Sequence, residues 1–209
     1  YENSSISLTV NDSNLGKKIN HEIYKNTTLL FKFQDNSKNN LEGVSIKIND
    51  KNINEKSNVN GQILTDFPFT KEKINISITK DGYIEANKKV NLLPGQNNVE
   101  QILQPIIYYV NAIDFNTNTS VSNLSFNHKD ILDSKYDPAS SKYILHFSKL
   151  GKFDISIKDN EGRFQNTTLP ITIDKNNLSK STKVPMYEIT YLDISLTDKN
   201  LPIVNAEII

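Results

Sequence analysis

The 209-residue chain contains no cysteine, which excludes both disulfides and thiolate metal sites. Cysteine-free chains occur in the cytosol and on prokaryotic surfaces alike, so this absence fixes no compartment. Neither sign of charge is in surplus: 24 basic residues face 24 acidic ones, and Arg163 is the sole arginine. Nucleic-acid footprints and polybasic membrane anchors need excess positive charge, so neither a nucleic-acid partner nor a charged membrane anchor is expected. No apolar run approaches the roughly 20 residues of a membrane span, so direct membrane insertion is not expected either. The chain opens on Tyr1 without a signal-like hydrophobic region, as a mature or excised piece of a longer product would. Histidine is scarce, and His21, His128 and His146 fall at no metal-ligand spacing. Glycine-rich phosphate loops and nucleophile elbows are missing as well. The expectation is a non-enzymatic chain without a cofactor.

What the sequence does contain is alternation. Ile6-x-Leu8-x-Val10, Leu29-x-Phe31-x-Phe33, Ile74-x-Ile76-x-Ile78, Ile155-x-Ile157 and Ile171-x-Ile173 each repeat with period two. Residues two apart share one face of a strand, so each run predicts a half-buried β-strand. Helix signals are poor; the stretch 127–136 has mixed polarity and runs into the turn Asp137-Pro138. Asn60-Gly61 and Asp81-Gly82 are favoured tight-turn pairs, Pro94-Gly95 reads the same way, and Glu161-Gly162 is a weaker version. Short strands with a turn every 8–12 residues or so predict an all-β, Ig-like antiparallel β-sandwich.

One design returns. The stretch 30–48 joins an alternating run ending at Asp35 to Leu41-x-x-Val44-x-Ile46-x-Ile48. It recurs as 109–114 followed by Val121-x-x-Leu124-x-Phe126, and as 192–198 followed by Leu201-x-x-Val204-x-Ala206-x-Ile208. Asp35 and Asp114 lie 79 apart, as do Ile76 and Ile155, and Ile78 and Ile157. A period near 80 spanning several strands is one sandwich per repeat rather than a solenoid coil. The expected organisation is tandem: 1–27 the last strands of one module, 28–105 and 106–189 complete modules, and 190–209 the first strands of another. Residues 6–15 match 169–178 in this scheme.

The first module resembles the carboxypeptidase-regulatory-like, or prealbumin-like, domain of prokaryotic surface proteins. The carrying residues are Asp35, the run Leu41–Ile48, Asn60-Gly61, the run from Ile74 to Gly82-Tyr83, Val90–Gly95 and Ile102–Pro105. The resemblance implies seven-stranded sandwiches used as spacers, stalks or adhesive modules. It covers about 77 residues; the second module replaces Asp-Gly-Tyr with the sequence Asp159–Phe164.

Candidate site residues are few. Asp35, Asp114 and Asp198 recur at the end of the opening strand, with Asp193 near the third junction, where clustered oxygen ligands hold calcium in other proteins. A turn-initiating Asp that caps its own backbone is the simpler reading. Surface relatives of this fold form Lys–Asn isopeptide bonds, but Lys32 alternates out of phase with Phe31 and Phe33, which places it on the wet face. Glycosylation sequons stand at Asn3, Asn11, Asn26, Asn75, Asn118, Asn123, Asn166 and Asn177. Tyr108, Tyr109, Tyr187 and Tyr191 are expected to pack between successive modules. The function expected is a structural or adhesive segment of a multi-module extracellular surface protein. Its partners would be neighbouring modules or subunits, or surface glycans and proteins. The rival readings are a subunit of a surface layer or filament, and a carbohydrate-binding accessory module of a secreted enzyme.

Overall fold

The computed structural model describes residues 5–21, 23 and 26–191, and the backbone of 197–198 and 201–202. Asn3, Asp193 and the motif positions Leu192, Val204, Ala206 and Ile208 lie outside the described residues, as does the side chain of Asp198. The described chain is all β, and its buried apolar residues fall into two clusters.

The first cluster lies between two sheets. One has the order β4 (Gln62–Phe67), β1 (Thr27–Asp35), β7 (Gln96–Leu103), and the other β3 (Lys51–Asn52), β2 (Ser45–Ile48), β5 (Ile74–Thr79), β6 (Ala86–Val90). The alternation read from sequence is the reason the sheets close on each other. Leu29, Phe31 and Phe33 point inward from β1 and meet Ile46, Ile48, Ile74, Ile76 and Ile78 from the facing sheet. Lys32 takes the other face of β1, beside Gln34 and Glu100, as its phase predicts.

The second cluster repeats the plan with a difference. Its sheets are β10 (Ile131–Asp137), β11 (Lys142–Phe147), β8 (Ile107–Asp114), β14 (Ser181–Met186), and β13 (Thr167–Ile173), β12 (Gly151–Asp159), β9 (Leu124–Asn127). Val110, Leu145, Phe147, Ile155 and Ile157 fill its centre. The stretch 127–136 is strand and turn, with no helix. Beyond the second core, β15 (Thr197–Asp198) and β16 (Leu201–Pro202) form a short antiparallel pair.

Two features go beyond the sequence reading. The two runs of the stretch 30–48 do not pair with each other: β1 pairs with β4 and β7, whereas β2 pairs with β3 and β5. Leu41, Val44, Ile46 and Ile48 are all buried, so the chain crosses to the opposite sheet to face them inward. Secondly, the sheets are not purely antiparallel. β1–β7 and β8–β14 run parallel, a pairing that periodicity does not encode.

Candidate functional site

Two of the three recurring aspartates, Asp35 and Asp114, serve their own turns. Asp35 Oδ1 accepts from the Ser37 and Asn39 backbone N–H groups at 2.8 and 2.9 Å, and Oδ2 accepts from Asn39 Nδ2 at 2.9 Å. Asp114 Oδ1 accepts from the Asn116 N–H at 2.8 Å and Oδ2 from the Thr117 hydroxyl at 2.8 Å. That hydroxyl, the loop N–H groups and the charge of Arg163 hold the Asp114 carboxyl below its ordinary range, against the opposing effect of burial. These are Asx-type turns, with a side chain satisfying donors that the strand end leaves open. Asp198 ends the two-residue β15. Among the described residues no three His, Cys, Asp or Glu side chains converge as a metal site. The histidines lie apart: His128 sits edge-on to Phe153 at 5.3 Å, and His146 belongs to a different contact.

Asp159 is the polar group that sequence reasoning passed over. It is only 2% exposed, yet its carboxylate accepts from the backbone N–H groups of Arg163 (2.6 Å), Phe164 (3.2 Å) and Glu161 (3.3 Å). Burial alone would raise its pKa. The three N–H donors and the Arg163 charge outweigh burial and hold it below the ordinary value. The Asp-x-x-x-Arg spacing of 159 and 163 was the available signal.

Of the sequons, Asn11, Asn26, Asn75, Asn118, Asn123 and Asn166 are exposed. Asn177 is half-buried and its amide is occupied: Nδ2 donates to the Thr172 carbonyl at 2.6 Å, and Oδ1 accepts from the Asp174 N–H at 2.8 Å.

The tyrosine expectation is corrected for Tyr108. Tyr108 is buried inside the second core, because β8 turns that face inward, and Tyr109 is half-buried. Tyr187 packs against Phe115 at 4.8 Å with the rings tilted by 36°, at the far end of the second core; both rings are exposed, as is Tyr191. Different residues join the cores.

The junction is built on Gly82. Leu103 is the last residue of the first core and Ile106 the first of the second, so only Gln104-Pro105 lies between them. The Gly82 N–H donates to the Ser148 carbonyl at 2.9 Å. Its carbonyl accepts twice, from the Ile106 N–H at 2.8 Å and from His146 Nε2 at 2.8 Å, which places the imidazole proton on Nε2. Tyr83 packs edge-on to His146 at 5.8 Å, and Ile84 packs against the second core. Burial, aided by the negative charge of Asp35, pushes the Tyr83 phenol up. Gly82 is required twice over. Its φ of +85° is in the left-handed region, and a Cβ there would lie 2.6 Å from His146 Nε2 and 2.9 Å from Leu132 Cδ1. The Asp81-Gly82 pair was legible as a turn, but its use as a seat for the next core was not.

The far end of the second core carries the same exit. The isolated bridge Tyr83–Pro105 corresponds to Phe164–Glu188. The bond from Ile84 N–H to the Gln104 carbonyl (2.9 Å) corresponds to Gln165 to Tyr187 (2.8 Å). The bond from Ile106 N–H to the Gly82 carbonyl (2.8 Å) corresponds to Ile189 to Arg163 (2.8 Å). Ile106 is buried by the second core, whereas Ile189 is 36% exposed.

No family model matches the chain, and no curated protein matches it. Among solved structures it is similar to the Bacillus anthracis TIE protein, at 14% identity over 79% of this chain and 34% of that one, with a TM-score of 0.39. It is similar to a streptococcal ancillary pilin, at 15% identity over 79% of this chain and 63% of the other, TM-score 0.33. A third is the shaft pilin SpaA of Lactobacillus rhamnosus GG, at 11% identity over 81% and 100%, TM-score 0.35. The chain spans about a third of the first of these and under two thirds of the second. TM-scores below 0.5 carry no argument about role. The all-β sandwich class stands on the fold itself; the finer carboxypeptidase-regulatory-like resemblance has no family model behind it.

Proposed function

We propose that this chain is a non-catalytic, load-bearing segment of a multi-module extracellular surface protein, with residues 28–105 and 106–189 as successive modules. The observation that carries it is the repeated exit. Three backbone contacts fix how the chain leaves the first core, and the same three recur where it leaves the second. In this reading Ile189 and the Phe115–Tyr187 pair are the exposed end of a module, ready to receive another as Gly82 and Ile106 receive the second core. Neighbouring modules are then the partners, and exposed sequons such as Asn75 and Asn166 are positions for glycans. No helix among the described residues is long and apolar enough to cross a membrane.

The junction also suits a tensile role. Two linking residues leave little slack, and the Gly82 carbonyl holds the second core at two points, Ile106 and His146. Single-molecule stretching of the chain tests this directly. Two unfolding events are expected, each releasing on the order of 250 Å of contour, as about 80 residues do when extended. A single event, or gradual extension without force peaks, would remove the two-module reading.

The filament-subunit reading keeps a place because one observation favours it. Residues 6–10 present alternating apolar side chains that no sheet of the described residues covers.

A further inference from the structure

Residues 5–17 reproduce the corner at the end of the second core in its main hydrogen bonds, at a constant offset of 163. In the second core, Asn177 organises the corner after β13. Its Nδ2 donates to the Thr172 carbonyl at 2.6 Å, its Oδ1 accepts from the Asp174 N–H at 2.8 Å, and Asp174 Oδ1 accepts from the Asn176 N–H at 2.7 Å. Near the start of the chain, Asn14 Nδ2 donates to the Thr9 carbonyl at 2.7 Å, Asn14 Oδ1 accepts from the Asn11 N–H at 2.8 Å, and Asn11 Oδ1 accepts from the Ser13 N–H at 3.1 Å. The backbone follows suit. Lys17 N–H donates to the Asn14 carbonyl as Lys180 N–H does to Asn177, and Gly16 and Ser179 both hold positive φ, +77° and +62°.

The difference is burial. Leu169, Ile171 and Ile173 of β13 are 8%, 8% and 1% exposed, because β13 pairs antiparallel with β12. Their counterparts Ile6, Leu8 and Val10 are 47%, 53% and 70% exposed. The corner is thus formed while the extended segment leading into it joins no sheet among the described residues.

We propose that residues 5–17 are an interaction element, a penultimate sandwich strand with its corner prebuilt. It adds antiparallel to the open edge of a strand of the β12 type, one with alternating Ile and Phe on its inner face, in a further sandwich of this same design. Backbone pairing supplies the affinity and the apolar alternation sets the register, the general mode of β-strand addition. The inference rests on the modular reading above, because the partner is a sandwich built like the second core.

The experiment extends the chain at its start, the added residues taking the place of 1–4. Residues 106–167, a second core lacking β13 and β14, are joined ahead of Ser5, so that Ile6 follows where Leu169 would. A parallel extension carries the complete 106–189. Hydrogen exchange at the amides of Ser7–Val10 is compared with that of the unextended chain. The expected result is protection rising by at least about 100-fold with the incomplete extension and none with the complete one. Leu8→Asn in the incomplete extension is expected to abolish the gain. If the complete extension folds as an added cooperative unit while the incomplete one leaves Ser7–Val10 unprotected, this proposal falls and the modular reading stands. Failure of the complete extension to fold as its own unit overturns both. Protection that appears in the unextended chain with rising concentration, together with dimer mass, assigns the strand to a second copy and overturns the stated partner.

Discussion

The two cores solve one packing problem with different buried polar groups. In the first, the buried side chains that are not apolar are hydroxyls. Ser57 Oγ donates to the Leu41 carbonyl at 2.6 Å and accepts from the Val44 N–H at 2.8 Å, and the Thr27 hydroxyl oxygen is buried without a hydrogen-bond partner. In the second they are carboxylates, Asp114 and Asp159. A hydroxyl ties a loop at any pH. A carboxylate ties it only while ionised, so the second core carries a pH dependence in its own scaffold. The third strand differs too. β3 stays beside β2 through a two-residue turn, Asn49-Asp50, with both φ positive at 47° and 64°. β10 instead crosses to pair with β11, giving sheets of three and four strands in one core and four and three in the other. Asn and Asp are the residues that a turn with two positive φ values prefers.

The sharpest break of this comparison is core truncation. Phe31→Ala and Phe147→Ala each delete a fully buried ring, and each should cost about 3–5 kcal/mol. Calorimetry should show each variant lowering the transition of its own core only. If each lowered both transitions equally, the two clusters would be one cooperative unit.

Asp159 comes next. Removing it in Asp159→Ala leaves three backbone N–H groups without their acceptor, and a loss of roughly 2–4 kcal/mol is expected in the second core. The pH dependence has a definite sign. The folded-state pKa lies below the ordinary value of about 3.9, so the contribution is complete above that value and fades as pH falls through the folded one. Asp130 and Asp137 are held low as well. At Asp130, donors from Lys149 and Ser148 and the lysine charge overcome burial; at Asp137, the Ser140 hydroxyl leads. Urea midpoints of the second core should therefore drop below about pH 4, and Asp159→Asn should flatten that limb. An unchanged acid limb in Asp159→Asn would remove Asp159 from the account.

The first core provides the smaller effects. Ser57→Ala should cost about 1–3 kcal/mol by stranding the Val44 N–H, with no change in the cost between pH 3 and 7. Thr27→Val keeps the shape and removes an unpartnered oxygen, so its midpoint should hold or rise slightly. A clear loss would show that the hydroxyl has a partner in solution.

Much of this was legible in the sequence, and the parts that were not share a cause. Period-two alternation placed Phe31 and Phe33 inside and Lys32 outside, because strand faces depend only on local phase. Asn60-Gly61, Asp81-Gly82, Pro94-Gly95 and Glu161-Gly162 all turn with positive φ at glycine, a local demand met by a local residue. Pairing partners are set by distant residues. Nothing near 30–48 says that β1 lies parallel to β7 or that β2 belongs to the other sheet. The same holds for the junction, where Gly82 and His146 are 64 positions apart and neither residue alone announces the other. Tyr108 was misplaced because proximity to a boundary in sequence was taken for proximity to the contact. Its phase with Val110 and Ala112 puts it in the core.

The central claim is that the Gly82 seat holds the two cores as one stiff unit. Residual dipolar couplings measured separately on residues 28–103 and 106–186 test it most directly. In the unaltered chain the two cores should report the same alignment tensor. In Gly82→Val, whose side chain collides with His146 and Leu132, the tensors should diverge while each core keeps its own internal couplings. Different tensors for the two cores of the unaltered chain, or matching tensors in Gly82→Val, would contradict the account.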